Sequence, residues 1–238
     1  MSSRRSRVTA QLSGRRHPSP KGNVPSARLR MAASEGQREV AATGVVFEPF
    51  SAVESELAVV NKAPSSESYA RTDFHPECEA AINEQINIEY NVSYVYHSMY
   101  SYFSRDNVAL PGIAGYFKNE SLEERAHAEL LMDYQVKRGG RVALKTIMPP
   151  HTEFDHAEKG DALYAFELGL SLEKLNFQKL RQLHEVAEKH GDAQMCDFVE
   201  GSLLDDQASA VQHMAEMVAQ LRRVGKGLGV YQFDKNLG

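Results

Sequence analysis

Glu124 and His127 stand one short helical step apart, so on a helix the carboxylate and the imidazole project from one face and can reach the same ion. Two more glutamates, Glu89 and Glu173, fall in comparable places. Reading each long helical segment in alternating steps of four and three residues exposes its core stripe. The first stripe is Ile82, Ile86, Glu89, Ser93, Tyr96, Tyr100, Phe103, and the second is Ile113, Phe117, Glu120, Glu124, His127, Leu131, Tyr134. The third is Phe166, Leu170, Glu173, Phe177, Leu180, and the fourth Leu203, Gln207, Ala210, Met214, Met217, Leu221. Each is apolar except for polar or ionisable groups in its middle or first half. Glutamates and a histidine turned into one core are strongly destabilising when unpaired, and no Lys or Arg holds a seam position. A bound cation removes the conflict. Carboxylates with a single imidazole form a hard, oxygen-rich set, suited to iron or manganese and poor for copper or thiolate chemistry; the ligands alone would also accept zinc. The alternative is a different helical phase, with the glutamates in water and His127 an ordinary core histidine. Tyr96 lies two turns from Glu89 on the same face, and its hydroxyl needs a partner if buried. Glu153-x-x-His156 has the same spacing as Glu124-x-x-His127, but it follows Pro149-Pro150 in a connecting segment and reads as a decoy.

The elements that must position these groups are marked by proline and glycine. Helical stretches with no proline past the first turn run over about 76–104, 111–138, 160–189 and 192–224. Pro76 and Pro111 sit at first helical turns, where proline is welcome, and Gly139, Gly191 and Gly225 follow helix ends. Residues 228–237 form a short fifth helix. The link over about 140–159 is long for a helix–helix turn and suits a crossover running back along the bundle. The expected fold is therefore all-α, a four-helix bundle with one long crossover and a short fifth helix.

Composition divides the chain further. Residues 1–34 hold eight of the 27 basic residues and no acid, so the remainder carries 19 basic against 32 acidic residues. A body that acidic repels nucleic acid and attracts cations. No run of 18 apolar residues exists to span a membrane. Two cysteines, Cys78 and Cys196, without a CxxC, support neither a disulfide framework nor a thiolate zinc site. The Ser- and Arg-rich leader, 1–34, reads as an organelle transit peptide, with a basic tail that binds nucleic acid or an acidic surface as the alternative. Residues 35–73 form an extension in which Phe50, Val53, Leu57 and Val60 make a short amphipathic segment that should dock on something larger. The bundle occupies 74–238.

Residues 80–90 (AAINEQINIEY), Glu123 to Glu129 (EERAHAE), Arg138-Gly139-Gly140-Arg141, Leu172-Glu173-Lys174 and Cys196-Asp197-Phe198-Val199-Glu200 together resemble the ferritin family, in particular the plastid ferritins of plants and algae. The likeness covers about 74–238, and Gly44 to Phe50 resembles the plastid extension. The resemblance implies a bundle assembled as twenty-four subunits, alone or mixed with other ferritin subunits, into a cage storing ferric mineral in the chloroplast. It further implies a di-iron ferroxidase centre using Fe(II) and O2, with Glu89, Glu124 and His127 on the first iron, Glu124 bridging, and Glu173 completing the second. Gln207 would hold water or an oxygen-derived ligand, and Tyr96 would hydrogen-bond a ligand carboxylate or supply an electron. Asp197 and Glu200 match an acidic three-fold entry channel with His184 and Cys196 at its mouth; the plain alternative for that acidic pair is compensation of a helix dipole. Ala126 departs from the family's glutamate and leaves Glu123 and Glu129 on the inward face, which puts the iron-transfer or nucleation site in doubt. Gln232 implies a polar four-fold pore. Rival readings are a di-iron peroxidase or oxygenase, which would present a second ExxH absent at Gln207 and Ala210, and a DNA-protecting cage.

Overall fold

The computed structural model describes residues 49–62 and 66–238. The leader at 1–34 and the Gly44–Phe47 stretch lie outside the described residues. The chain divides into a unit ending at Glu56 and a second, Leu57–Gly238, that holds the bundle. The helix α1, Pro49–Lys62, forms where the amphipathic segment was expected, with Val53, Leu57 and Val60 exposed.

The bundle consists of α2 (Pro76–Phe103), α3 (Pro111–Lys137), α4 (Asp161–Lys189) and a fourth rod made of α5 (Ala193–Val199) and α6 (Asp205–Val224). The short α7 (Leu228–Leu237) follows, and no strand occurs among the described residues. Cross-links at both ends show the pairing. Gln85 of α2 meets Asn176 of α4 while Tyr96 meets Gly169, so these helices run antiparallel. Two apolar clusters fill the interior: aromatic around Tyr96, Phe103, Phe117 and Phe166, and aliphatic around Ile82, Leu131, Leu180 and Leu203. The polar centre lies between them.

The crossover is anchored by a ladder of asparagines one helical turn apart on α2. Asn83 Nδ2 donates to the Arg141 carbonyl (2.9 Å) and its Oδ1 accepts from the Ala143 amide (2.8 Å). Asn87 donates to the Thr146 carbonyl (3.1 Å), and Asn91 accepts from the Met148 amide (2.9 Å). Amide side chains thus satisfy backbone groups of an extended segment that has no strand partner.

One expectation needs correcting. The stretch over 192–224 is not one regular helix: a π-helical turn, Glu200–Leu204, interrupts it. Met195, Val199, Leu203 and Gln207 are all buried although spaced by four. In a regular helix each such step drifts about 40°, so the four would spread over about 120°. The wider i→i+5 turn absorbs that drift and keeps Gln207 facing inward. In the stripes, Tyr100, Phe177 and Met217 are half-buried, and Met99, Asn176 and Val218 are buried beside them.

α3 begins at Leu110 without a side-chain cap of its own. Asp234 of α7, 1% exposed, supplies it from across the fold by accepting the Ile113 amide at 2.9 Å. A Cβ at Gly112 would meet the Asp234 carbonyl oxygen at 1.9 Å, so glycine is what permits this approach. Asp234→Ala should therefore lower stability by about 1–2 kcal/mol, as for loss of a helix cap, and speed hydrogen exchange at the Ile113 amide. Unaltered exchange there would show that α7 does not cap α3.

Candidate metal centre

Glu89 on α2, Glu124 and His127 on α3 and Glu173 on α4 converge midway along the bundle. One ligating atom each from Glu89, Glu124 and His127 lie within 4.8 Å of one another, and His127 Nδ1 is 3.4 Å from Glu124 Oε2. Glu173 faces this group from α4. Tyr96 donates its hydroxyl to Glu173 Oε1, and Gln207 of α6 donates Nε2 to Glu173 Oε2. All six are buried except His127, which is half-buried. The alternative phase, with these glutamates in water, is excluded.

The site opens into a cavity of about 350 Å³ lined by Glu120, Glu123, Glu124, His127, Glu173, Asp206, Gln207, Ser209, Ala210 and His213. Five carboxylates and no Lys or Arg are among those residues. Burial pushes Glu89 well above the usual carboxylate range, and the charge of Glu124 beside it adds to this. Glu124 is raised by burial, although its hydrogen bond with Glu89 works against the shift. Glu173 is raised by burial and eased back by Tyr96 and Gln207. Glu120 is pushed up to about 7 by burial and the charges of Glu123 and Glu173. Burial and the Glu173 charge keep the Tyr96 phenol protonated, hence a donor. Such a group of acids holds protons when no cation is present and exchanges them for one when it arrives.

Other expected residues are placed elsewhere. Glu123 lines the cavity, but Glu129 is exposed, pairs with Arg125 at 3.0 Å and does not line it. Asp197 is exposed on α5, and Glu200, opening the π turn, meets His184 Nε2 at 2.6 Å. Neither lines the cavity. Glu153 is taken by Arg105, at 2.7 and 2.9 Å, and His156 Nδ1 accepts the Lys159 amide, so that ExxH holds a loop together.

A second group, His75, Glu77 and His190, also brings three ligating atoms within 4.8 Å. Its arrangement is that of an ion-pair cluster. Glu77 Oε2 already accepts Lys189 Nζ at 2.5 Å and faces His190 Nε2 at 2.9 Å. The two imidazoles stack at 3.6 Å and 12°, so their lone pairs lie in separate, nearly parallel planes and do not converge on one point.

Four residues of the site carried no assigned role in the sequence. Asn176 and Gln85 are buried amides hydrogen-bonded to Glu89, and Glu120 and His213 line the cavity. Asn176 was hidden by its apolar neighbour Phe177, although its spacing of three from Glu173 repeats that of Glu124 and His127.

The family model of the ferritin-like domain matches residues 79–224. The chain is 58% identical over 209 residues to ferritin-2, chloroplastic, of Nicotiana tabacum, covering 88% of this chain and 80% of that protein. It is 60% identical over 195 residues to ferritin-3, chloroplastic, of Glycine max, covering 82% and 76%. The crystal structure of a ferritin from the multicellular green alga Ulva pertusa superposes with a TM-score of 0.80 at 63% identity, covering 81% of this chain and 99% of that one. Identity of this extent runs through the whole bundle and is matched by its backbone, and it makes the chain a member of the ferritin family.

Proposed function

We propose that this protein is the ferroxidase subunit of a chloroplast iron store, oxidising Fe(II) with O2 at an intrasubunit two-iron site and keeping the product as ferric oxyhydroxide inside a twenty-four-subunit cage. Membership of the ferritin family carries iron storage, and chloroplast residence agrees with the names of its relatives. The leader, 1–34, is then the segment removed on import, and 35–73 precedes the bundle as an extension. The observation that carries the ferroxidase reading is the set of buried Glu89, Glu124 and Glu173 with half-buried His127, and no Lys or Arg lining the cavity beside it.

Fe(II) is the substrate of this site. Glu89, Glu124 and His127 take the first ion, Glu124 bridges, and Glu173 completes the place for the second. Two ferrous ions held side by side would give O2 two electrons together, which with two protons makes hydrogen peroxide and leaves no free one-electron product. Tyr96 and Gln207 hold Glu173 in position, and Gln207 also borders the cavity where water or O2 enters. One imidazole among carboxylates is an open, exchangeable set, as release of Fe(III) requires. Glu120, Glu123 and Asp206 continue the acidic lining beyond the oxidation site and supply the way out, without Glu129. Asp197 and Glu200, brought together with those of neighbouring subunits, supply the way in.

Glu124→Ala combined with His127→Ala should abolish fast ferrous oxidation while the cage still assembles. Unchanged initial rates would overturn the site assignment. Excess Fe(II) in air, added to protein lacking 1–34 and followed by size-exclusion chromatography, should give protein and ferric absorbance in one very large particle. Small protein with separately precipitated iron would point instead to a di-iron enzyme.

Proton linkage gives a further expectation. Raised carboxylates hold protons in the folded chain that the unfolded chain releases above the ordinary value of 4.5. The metal-free bundle therefore loses stability as pH rises from there through the folded values, about 7 for Glu120. A divalent cation replaces those protons, so its stabilising effect grows over the same range. Thermal unfolding with Co2+ and with EDTA, compared at about pH 5.5 and 8, should show the larger gap at the higher pH. An equal gap at both would remove proton exchange from the account.

A further inference from the structure

Asn176 is fully buried, at 0% exposure, on the α4 face that looks into the metal centre. Its Nδ2 donates to Glu89 Oε2 at 2.9 Å and to Gln207 Oε1 at 3.1 Å. Its Oδ1 accepts from Gln85 Nε2 at 2.7 Å, and Gln85 Nε2 also reaches Glu89 Oε1 at 2.6 Å. Both oxygens of Glu89 are thereby held by amides. Gln207 in turn donates to Glu173. One side chain links a ligand of the first ion, on α2, to the side of the site where the second is completed, between α4 and α6.

With both end carboxylates ionised, as they are when a cation occupies the site, the direction of every bond in this chain is forced. The Glu89 and Glu173 carboxylates at its two ends can then only accept from the amides that face them. Gln207 must turn its N–H to Glu173, which leaves its oxygen facing Asn176. Asn176 must then spend both N–H groups, one on Glu89 and one on Gln207, and present its oxygen to Gln85. No amide can flip without setting oxygen against oxygen in a buried site, where an unsatisfied polar group is expensive.

We propose that Asn176 is a positioning residue that couples the two ends of the metal centre, fixing Gln207 and Glu173 relative to Glu89 so that the second ion meets a prearranged site. This rests on the two-ion reading above. The coupling has a specific signature. Without Asn176, Gln85 still holds Glu89, and Glu124 and His127 are untouched, so the first ion binds nearly as before. Gln207 loses the partner that fixes its orientation and no longer holds Glu173 in place, so the second ion binds less well. A residue that only fills space would weaken both ions alike or lower the stability of the cage.

The test is stepwise binding of Co2+, which stands in for Fe(II) without reacting with O2, to the assembled, iron-free protein. Its visible absorption is followed, and sites outside the centre are subtracted with the Glu124→Ala, His127→Ala protein. The wild type should take two ions per subunit in the difference titration. Asn176→Leu, which keeps the branched shape but has no donors, should weaken the second ion at least tenfold and the first less than threefold. Asn176→Thr, which keeps a single donor and serves if the leucine variant does not assemble, should give the same pattern to a smaller degree. Equal weakening of both ions, or none, in whichever variant assembles would overturn the coupling. A wild type that takes fewer than two ions in the difference titration would overturn the two-ion reading itself, and the coupling with it.

Discussion

Burying several carboxylates in a helical core without a Lys or Arg to answer them is the constraint around which this fold is arranged. Neutralisation has to come from protons or from cations, and the raised values of Glu89, Glu124, Glu173 and Glu120 record the first of these. Either way the site stores unfavourable electrostatics that the rest of the bundle must offset. The apolar clusters on both sides do so by burial, and their rings and branched side chains hold the helices at fixed spacing. A carboxylate that could swing outward would relieve the conflict and destroy the site, so rigidity around it is a functional requirement.

Several local features serve that rigidity. The asparagine ladder at Asn83, Asn87 and Asn91 binds the crossover along α2. Arg138 pairs with Asp192 at 2.8 Å while Asp192 caps α5, which locks the end of α3 to the start of the fourth rod. The π turn then rotates α6 so that Gln207 enters the core. These devices lie on different helices, and the π turn acts on the centre most directly, by setting the phase of Gln207.

The acids and the histidine of the centre were legible in the sequence because a charged residue in an apolar stripe violates the pattern, and such violations concentrate at sites. Gln207 interrupts its stripe as a polar residue, while the roles of Gln207 and Tyr96 came from the family resemblance. Asn176 was not legible, since a neutral amide suits a surface position and Phe177 beside it satisfies the apolar stripe. The π turn was hidden because Val199, Leu203 and Gln207 read as consistent with a regular helix over any short window. Asp234 as the cap of α3 had no sequence signal, as the two partners are far apart in the chain and only the packing of α7 joins them. Element boundaries fared well because prolines and glycines mark them, at Pro76, Pro111, Gly191 and Gly225.

The two walls of the centre differ in a way that matches its two tasks. On the α2 and α4 side, Glu89 is gripped by Gln85 and Asn176, and Glu173 by Tyr96 and Gln207, so both oxygens of each carboxylate are engaged. On the α3 side, Glu124 contacts His127 and Glu89, and Glu120 contacts Tyr116, with no amide donor to either among the described residues. A carboxylate held by two donors keeps its direction and has fewer lone pairs to give, which suits a fixed anchor that sets the spacing of incoming ions. A carboxylate without such donors can swing between neighbours, which suits one that bridges and then hands its cation on. The free wall is also the one that continues along the cavity through Glu120 and Glu123. The α2 and α4 wall is therefore the braced one, and the α3 wall, which carries Glu124 and His127, is the freer one.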